Sequence, residues 1–95
     1  MPDASFNLRV VTPNEIFFEG PAVSVVAPGG LGYLGILKNH APLITTISDG
    51  NLTFRNTEGK TQTFKIRGGF LEVLKNRVLV LTDQIEKNEE SGVRN

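Results

Sequence analysis

The sequence predicts an all-β domain, either a sandwich or a flattened barrel, on three observations. Apolar and polar residues alternate in short runs, which is the period of a strand with one buried face. Turn-forming residues separate these runs at close spacing, as in sheets built from hairpins. No apolar stripe with the period of a helix occurs between Phe6 and Thr82. Many short strands with frequent turns are typical of a sandwich or barrel.

The first half of the chain contains five short apolar runs. Each run ends at residues that break strands, since proline cannot donate to a sheet ladder and glycine favours tight turns. The segment Glu19-Gly20-Pro21 is therefore expected to separate the second strand from the third. The five predicted strands lie at 6–11, 16–18, 23–27, 34–37 and 43–47.

The second half of the chain is predicted to form two hairpins. Each consists of two apolar runs joined by a short polar turn, the usual signature of paired antiparallel strands. Gly68 and Gly69, which lie between the hairpins, are expected to serve backbone geometry such as a bulge. The runs 52–54 and 64–66 flank Thr57-Glu58-Gly59, and the runs 70–74 and 78–81 flank Lys75-Asn76-Arg77.

The character of the chain changes after Asp83. The remaining residues are polar and charged, with few aliphatic side chains, so they can bury little surface. We therefore predict one domain over residues 1–83 and a polar tail over residues 84–95, either disordered or a frayed helical turn.

Composition excludes several classes of function. Ten Lys and Arg balance ten Asp and Glu, which argues against nucleic acid as a partner because phosphate binding needs clustered positive charge. There is no cysteine, so neither a disulfide framework nor a thiolate ligand is available. The N-terminus resembles no secretory signal, and no apolar run approaches the length needed to span a bilayer. Any membrane association is expected to come through partners.

Two features suggest chemistry and are weighed against simpler interpretations. Gly30 to Gly35 spells G-x-G-x-x-G, which would predict a dinucleotide turn if a helix followed. Pro42 leaves no room for that helix, so a glycine-rich loop with several positive φ angles is the alternative. His40 is the only histidine and has no cysteine or second histidine to share a metal or a catalytic role. We predict no catalytic residue, no metal site and no cofactor.

The glycine-rich loop is unusually apolar for a surface connection. Leu31, Tyr33 and Leu34 interrupt its glycines, and two explanations stay open. These side chains either fold back on the core or form a contact surface, since exposed aromatic loops are enriched at interfaces.

Seven motifs, in order and with characteristic spacing, cover residues 6 to 83. Together they resemble the N-terminal domain of ATP synthase epsilon subunits, whose mitochondrial equivalent is called delta. They are Leu8-x-Val10-Val11-Thr12-Pro13, Phe18-x-Gly20, Val23-x-x-Val26-x-x-Pro28-Gly29, Gly32-x-x-Gly35-Ile36-Leu37, His40-Ala41-Pro42-Leu43, Gly68-Gly69-Phe70-Leu71-Glu72-Val73 and Val80-Leu81-Thr82-Asp83.

The resemblance implies a flattened antiparallel β-sandwich of about ten strands. It also implies a non-catalytic rotor subunit in the central stalk of a proton-translocating ATP synthase, peripheral at the cytoplasmic face of the bacterial inner membrane. The implied partners are the gamma subunit and the c-ring. The c-ring contact would be Gly29, Gly30, Leu31, Gly32 and Tyr33, and the gamma contact would be His40, Ala41, Pro42, Leu43 and Thr45.

The resemblance stops before the two-helix C-terminal hairpin that most family members carry. We therefore expect a natural short subunit without the regulatory functions of that hairpin, with a truncated chain as the alternative. A free-standing ligand-binding β-sandwich and a dinucleotide-binding protein are the rival functions. Replacing Leu31 and Tyr33 with Asp is expected to leave the fold intact and to weaken assembly with the c-ring.

Overall fold

The computed structural model describes residues 4–87, which form nine β-strands and no α-helix. Within this part of the chain there is accordingly no helix long and apolar enough to cross a membrane. The strands are β1 (Phe6–Thr12), β2 (Glu15–Gly29), β3 (Gly32–Ile36), β4 (Leu43–Ile47), β5 (Gly50–Asn56), β6 (Thr61–Ile66), β7 (Gly69–Leu74), β8 (Arg77–Leu81) and β9 (Ile85–Lys87).

The strands pair in the order β4-β7-β8-β1-β2-β5-β6-β9, with β3 on β2. The predicted all-β sandwich is confirmed with two differences. Residues 4–87 form nine strands where about ten were expected. Strands β1 and β8 pair in parallel, because they are distant in sequence and no hairpin dictates their relative direction. The other strand pairs are antiparallel.

Strand β2 corrects the expected break at Glu19-Gly20-Pro21, because it runs through this segment. The Asn7 amide donates to Asn76 on the β8 side, so Asn7 and Pro21 form a non-hydrogen-bonded pair. The Pro21 nitrogen then faces the opposite edge, where pairing with β5 begins only at Ala22. Its missing N–H therefore costs no ladder bond.

The length of β2 lets one sheet make both layers of the sandwich. The first layer consists of β4, β7, β8, β1 and the start of β2. The second consists of the end of β2 with β3, β5, β6 and β9, and the register shift between Ala22 and Ser24 lies between the two parts. One core cluster joins both layers: Phe6, Leu8, Val10, Ala22, Val25, Ala27, Ile36, Ile47, Leu52, Phe54, Ile66, Leu71, Val73, Val78 and Val80.

An irregularity in β2 explains why two consecutive phenylalanines contact the core. Val10 pairs with Phe18 and Val11 with Ile16, which leaves Phe17 as an extra residue in β2. Phe17 then packs edge-on against Phe64 with ring centroids 4.9 Å apart, while Phe18 contacts the buried Phe54 at 4.7 Å. In a regular strand, Phe17 would point away from the core. The bulge turns it inward and so adds an aromatic contact between the layers.

Both predicted hairpins are confirmed. Lys75 and Asn76 join β7 to β8 with φ angles of 50° and 61°, the type I′ geometry that matches strand twist. The β5–β6 turn is held by the Asn56 carboxamide oxygen, which accepts from the Glu58 and Lys60 amides. Gly68 and Gly69 serve backbone geometry as expected, but Gly68 forms the corner before β7 and Gly69 begins that strand, so they do not form a bulge.

The beginning of the predicted tail is neither disordered nor helical. Residues 85–87 form β9, which pairs with β6, and Ile85 packs against the core. The Arg67 amide donates to the Gln84 carbonyl and the Asp83 amide to the Arg67 carbonyl, which fixes the chain before β9. A three-residue strand is too short to produce a visible period. Residues 88–95 of the predicted tail lie outside the described residues.

Candidate docking surfaces

The glycine-rich loop forms the β2–β3 hairpin, with Gly30 and Leu31 at its tip. The Leu31 side chain is fully exposed, whereas Leu34 on β3 is half-buried. Of the two explanations left open by the sequence, Leu31 therefore fits a contact surface. Tyr33 is partly exposed but also makes a hydrogen bond within the domain.

Tyr33 anchors this hairpin to the start of β5. Its hydroxyl accepts a hydrogen bond from the Asn51 amide at 3.3 Å. The same hydroxyl lies above Gly50, where an added Cβ would come within 3.1 Å of it and within 2.9 Å of Pro28. Although 59% of Tyr33 is exposed, its polar end is therefore used inside the protein.

The hairpin does not have the geometry of a dinucleotide turn. Residues Gly32–Ile36 continue as a strand where a nucleotide-binding turn would begin a helix. Gly32 is the one glycine between Gly29 and Gly35 with a positive φ, 132°, so the expectation of several such positions is wrong. The loop turns with few unusual angles because Gly29 and Gly32 still pair across it.

The segment His40 to Pro42 connects the second layer back to β4. The His40 amide donates to the Leu37 carbonyl at 3.2 Å, and its ring Nδ1 lies 2.7 Å from the Ala41 carbonyl. Because a carbonyl oxygen can only accept, Nδ1 carries a proton in this contact. The hydrogen bonds of His40 hold a turn, while Ala41 and Pro42 are exposed.

The remaining predicted gamma-contact residues, Leu43 and Thr45, lie on the inward side of strand β4. Leu43 and Thr45 are half-buried and pair with the buried Val73 and Leu71, and Leu43 packs against the core. Ile44 points to the opposite side and is 70% exposed. The motif match drew attention to Leu43 and Thr45, but strand alternation gives the exposed position to Ile44.

Ile44 belongs to an apolar surface on the first layer, which we term the outer face. Its exposed members are Ile16, Ile44, Phe70, Leu74 and Leu81. The strand register places three of them in one row, since Phe70 pairs with Leu81, Leu81 with Val11, and Val11 with Ile16. Ile44 and Leu74 lie beside this row, where Ile44 pairs with Glu72 and Leu74 with Arg77. The motifs do not indicate this surface. A signal for it was present in the sequence, because apolar residues also occupy the outward-facing alternate positions of β7 and β8.

Charged residues on the outer face lie beside this apolar row, and they include Arg9, Glu19, Glu72 and Arg77. Arg9 and Glu19 form an exposed ion pair at 3.8 Å, which contributes little to stability. Glu72 lies between Ile44 of β4 and Leu79 of β8 in the strand register. The face therefore combines an apolar row with a neighbouring group of charged side chains, and such mixed surfaces occur at protein contacts.

Ser48, directly after β4, connects that strand to the β2–β3 hairpin. Its amide donates to the Pro28 carbonyl at 2.8 Å, and its hydroxyl lies 3.1 Å from the Gly29 carbonyl. The end of β4 is thus tied to the base of the β2–β3 hairpin. Within residues 4–87, no group of three or more His, Asp or Glu side chains is placed to hold a metal ion.

Comparison with known proteins identifies the family. The family described as "ATP synthase, Delta/Epsilon chain, beta-sandwich domain" matches residues 5–88. An ATP synthase epsilon chain of Moorella thermoacetica is 43% identical over 90 residues, covering 95% of this chain and 67% of that relative. One from Chlorobaculum tepidum is 40% identical over 83 residues, covering 87% of this chain and 94% of the relative.

A solved structure supports the same fold. A chain in the mitochondrial ATP synthase of Euglena gracilis, in an OSCP/F1/c-ring assembly, superposes with a TM-score of 0.86 at 24% identity. The superposition covers 92% of this chain and 56% of the other. With the family match over residues 5–88, these similarities establish that the chain belongs to the family of ATP synthase delta/epsilon β-sandwich domains.

Proposed function

We propose that this protein is a non-catalytic rotor subunit of the central stalk, which links the gamma subunit to the c-ring and helps couple proton flow to ATP synthesis. Family membership supports this role. A further similar fold comes from a central stalk and c-ring structure of the Tetrahymena thermophila mitochondrial ATP synthase, with a TM-score of 0.76. As part of such a complex the protein would be peripheral at the cytoplasmic face of the bacterial inner membrane.

The observation that carries the proposal is the outer face. Exposed apolar residues from four strands share this face, and a concentration of exposed apolar surface is expected at an interaction site. We assign the gamma contact to the outer face together with His40, Ala41 and Pro42. Leu43 and Thr45 support this contact from behind, because they lie on the core side of β4.

We assign the c-ring contact to the tip of the β2–β3 hairpin. Leu31 is the exposed apolar side chain there, and Gly30 has no other atom within 4 Å of where a Cβ would lie. Gly29, Gly32 and Tyr33 shape and anchor the hairpin. A ligand-binding sandwich would need space between its layers, but that space is occupied by the side chains of the core cluster.

The proposal predicts that Ile44→Lys weakens binding to gamma by at least about tenfold without unfolding the domain, because a buried contact side chain would become charged. The measurement is co-purification with gamma on size exclusion, followed by a titration. Thr61→Lys is the matched control, since it places the same charge on an exposed strand position of the second layer. Failure of the parental chain to bind gamma would overturn the proposed function. Equal losses in both variants would overturn the outer face as the contact.

A further inference from the structure

Two asparagines distant in sequence form a reciprocal pair beside the outer face. The Asn39 amide donates to the Asn76 side-chain oxygen at 2.7 Å, and the Asn76 side-chain nitrogen donates to the Asn39 side-chain oxygen at 3.1 Å. Asn39 directly precedes His40, and Asn76 lies in the β7–β8 turn. The pair thus joins the β3–β4 connection to a hairpin that carries part of the outer face.

The backbone alone does not require this pair. Asn39 and Asn76 adopt the left-handed conformation, with φ angles of 68° and 61°. Glycine adopts this conformation at least as readily, so it would satisfy either position without a side chain. The side chains therefore contribute something other than turn geometry, namely a link between two separate loops.

The hairpin side of this link is firmly held. The Asn76 carbonyl accepts the Asn7 amide of β1 at 3.0 Å, and β7 and β8 pair along their length. The other side is the connection between Ile36 and Leu43, which lacks regular pairing and carries the His40 turn. The paired β7–β8 hairpin is thus positioned to restrain the connection between β3 and β4.

We infer that the Asn39–Asn76 pair is a clasp that presets the His40–Pro42 segment against the outer face for docking on the gamma subunit. The inference rests on the proposed function. Presetting a loop raises affinity because less conformational freedom is lost on binding. Both asparagines are positioning residues whose effect on gamma passes through His40, Ala41 and Pro42.

The test compares three variants of the full chain for gamma binding and for amide hydrogen exchange. Asn76→Gly keeps the left-handed backbone and removes both hydrogen bonds, so we expect about a five- to tenfold higher Kd. Asn39→Gly keeps the bond from its amide and should lie between Asn76→Gly and the parental chain. Lys75→Gly is the matched control, since Lys75 has φ 50° in the same turn and takes no part in the pair.

The expected companion result is faster exchange of the His40 amide in Asn76→Gly, with unchanged exchange in the strands. Unchanged affinity in Asn76→Gly, or an equal loss in Lys75→Gly, would overturn the clasp while leaving the proposed function intact. If the parental chain does not bind gamma, the proposed function fails and the clasp's docking role fails with it.

Discussion

Gly69 begins β7 directly beneath the carbonyl oxygen of Leu81. An added Cβ would overlap that oxygen and come within 2.9 Å of the Thr82 Cα. Its φ of 127° is also one that residues with side chains rarely adopt. The close approach lets β7 pair with β4 and β8 immediately after the corner at Gly68.

We therefore expect Gly69→Ala to lower the free energy of unfolding by about 2–4 kcal/mol, through backbone strain and displacement of Leu81. Gly30→Ala is the control, because its Cβ meets nothing within 4 Å and its φ is not positive. The control should be neutral or gain about 0.5 kcal/mol. Urea unfolding measures both, and equal stability of the two variants would contradict the steric argument.

At single positions, the sequence predicted loops better than the roles of their side chains. The motif match pointed to both Leu31 and Tyr33 as contacts, but the Tyr33 hydroxyl accepts the Asn51 amide. A partner 18 residues away could not be inferred from the loop itself. Likewise, the motif ended on Leu43 and passed over Ile44, which alternation turns outward.

Among the elements, β1 and the β7–β8 hairpin followed directly from alternation and turn residues. β2 did not, because whether Pro21 breaks a strand depends on what its nitrogen faces. That direction follows from the hydrogen bond of Asn7 to Asn76, which joins β1 to the β7–β8 turn and lies outside β2 itself. The parallel pairing of β1 with β8 was equally out of reach, since it joins the two ends of the domain.

β9 is expected to contribute to the stability of the domain, although the predicted domain boundary at residue 83 leaves this strand out. Ile85 packs against the core from this short strand. We expect Ile85→Ala to lower the free energy of unfolding by about 1–2 kcal/mol, less than a fully buried Ile because the side chain is half-buried.

The control for β9 is Gln84→Ala, an exposed neighbour whose contribution to this edge is the carbonyl that accepts the Arg67 amide. It should change stability by no more than about 0.5 kcal/mol. Thermal and urea unfolding of both variants provide the comparison. If Ile85→Ala is as stable as Gln84→Ala, residues 85–87 do not belong to the folded domain.

At the scale of the molecule, the proposed contacts lie on different layers and should be separable by mutation. Leu31→Asp is expected to reduce co-purification of the gamma complex with the c-ring at least about tenfold, while gamma binding and stability stay unchanged. The single change avoids the Tyr33 anchor, which the Leu31 and Tyr33 double variant would also remove.

Thr57→Asp in the β5–β6 turn is the matched control, because it places the same charge on another exposed hairpin. It should assemble with the c-ring like the parental protein. Normal assembly of Leu31→Asp would exclude the hairpin tip as the c-ring contact. Loss of gamma binding in the same variant would show that the two contacts are not separate.

The continuous strand β2 connects the two proposed contact surfaces mechanically. Its 15 residues, about 45–50 Å of contour, begin beside Ile16 on the outer face and end at Gly29 beneath the hairpin tip. A force applied at Leu31, the proposed c-ring contact, would therefore act on a strand whose other end lies at the outer face, the proposed gamma contact. The force would be transmitted along the backbone of β2. The hydrogen bond from the Ser48 hydroxyl to the Gly29 carbonyl would support the base of the hairpin. Because both layers share this strand, twisting one layer against the other would have to deform β2 and could not occur by sliding alone.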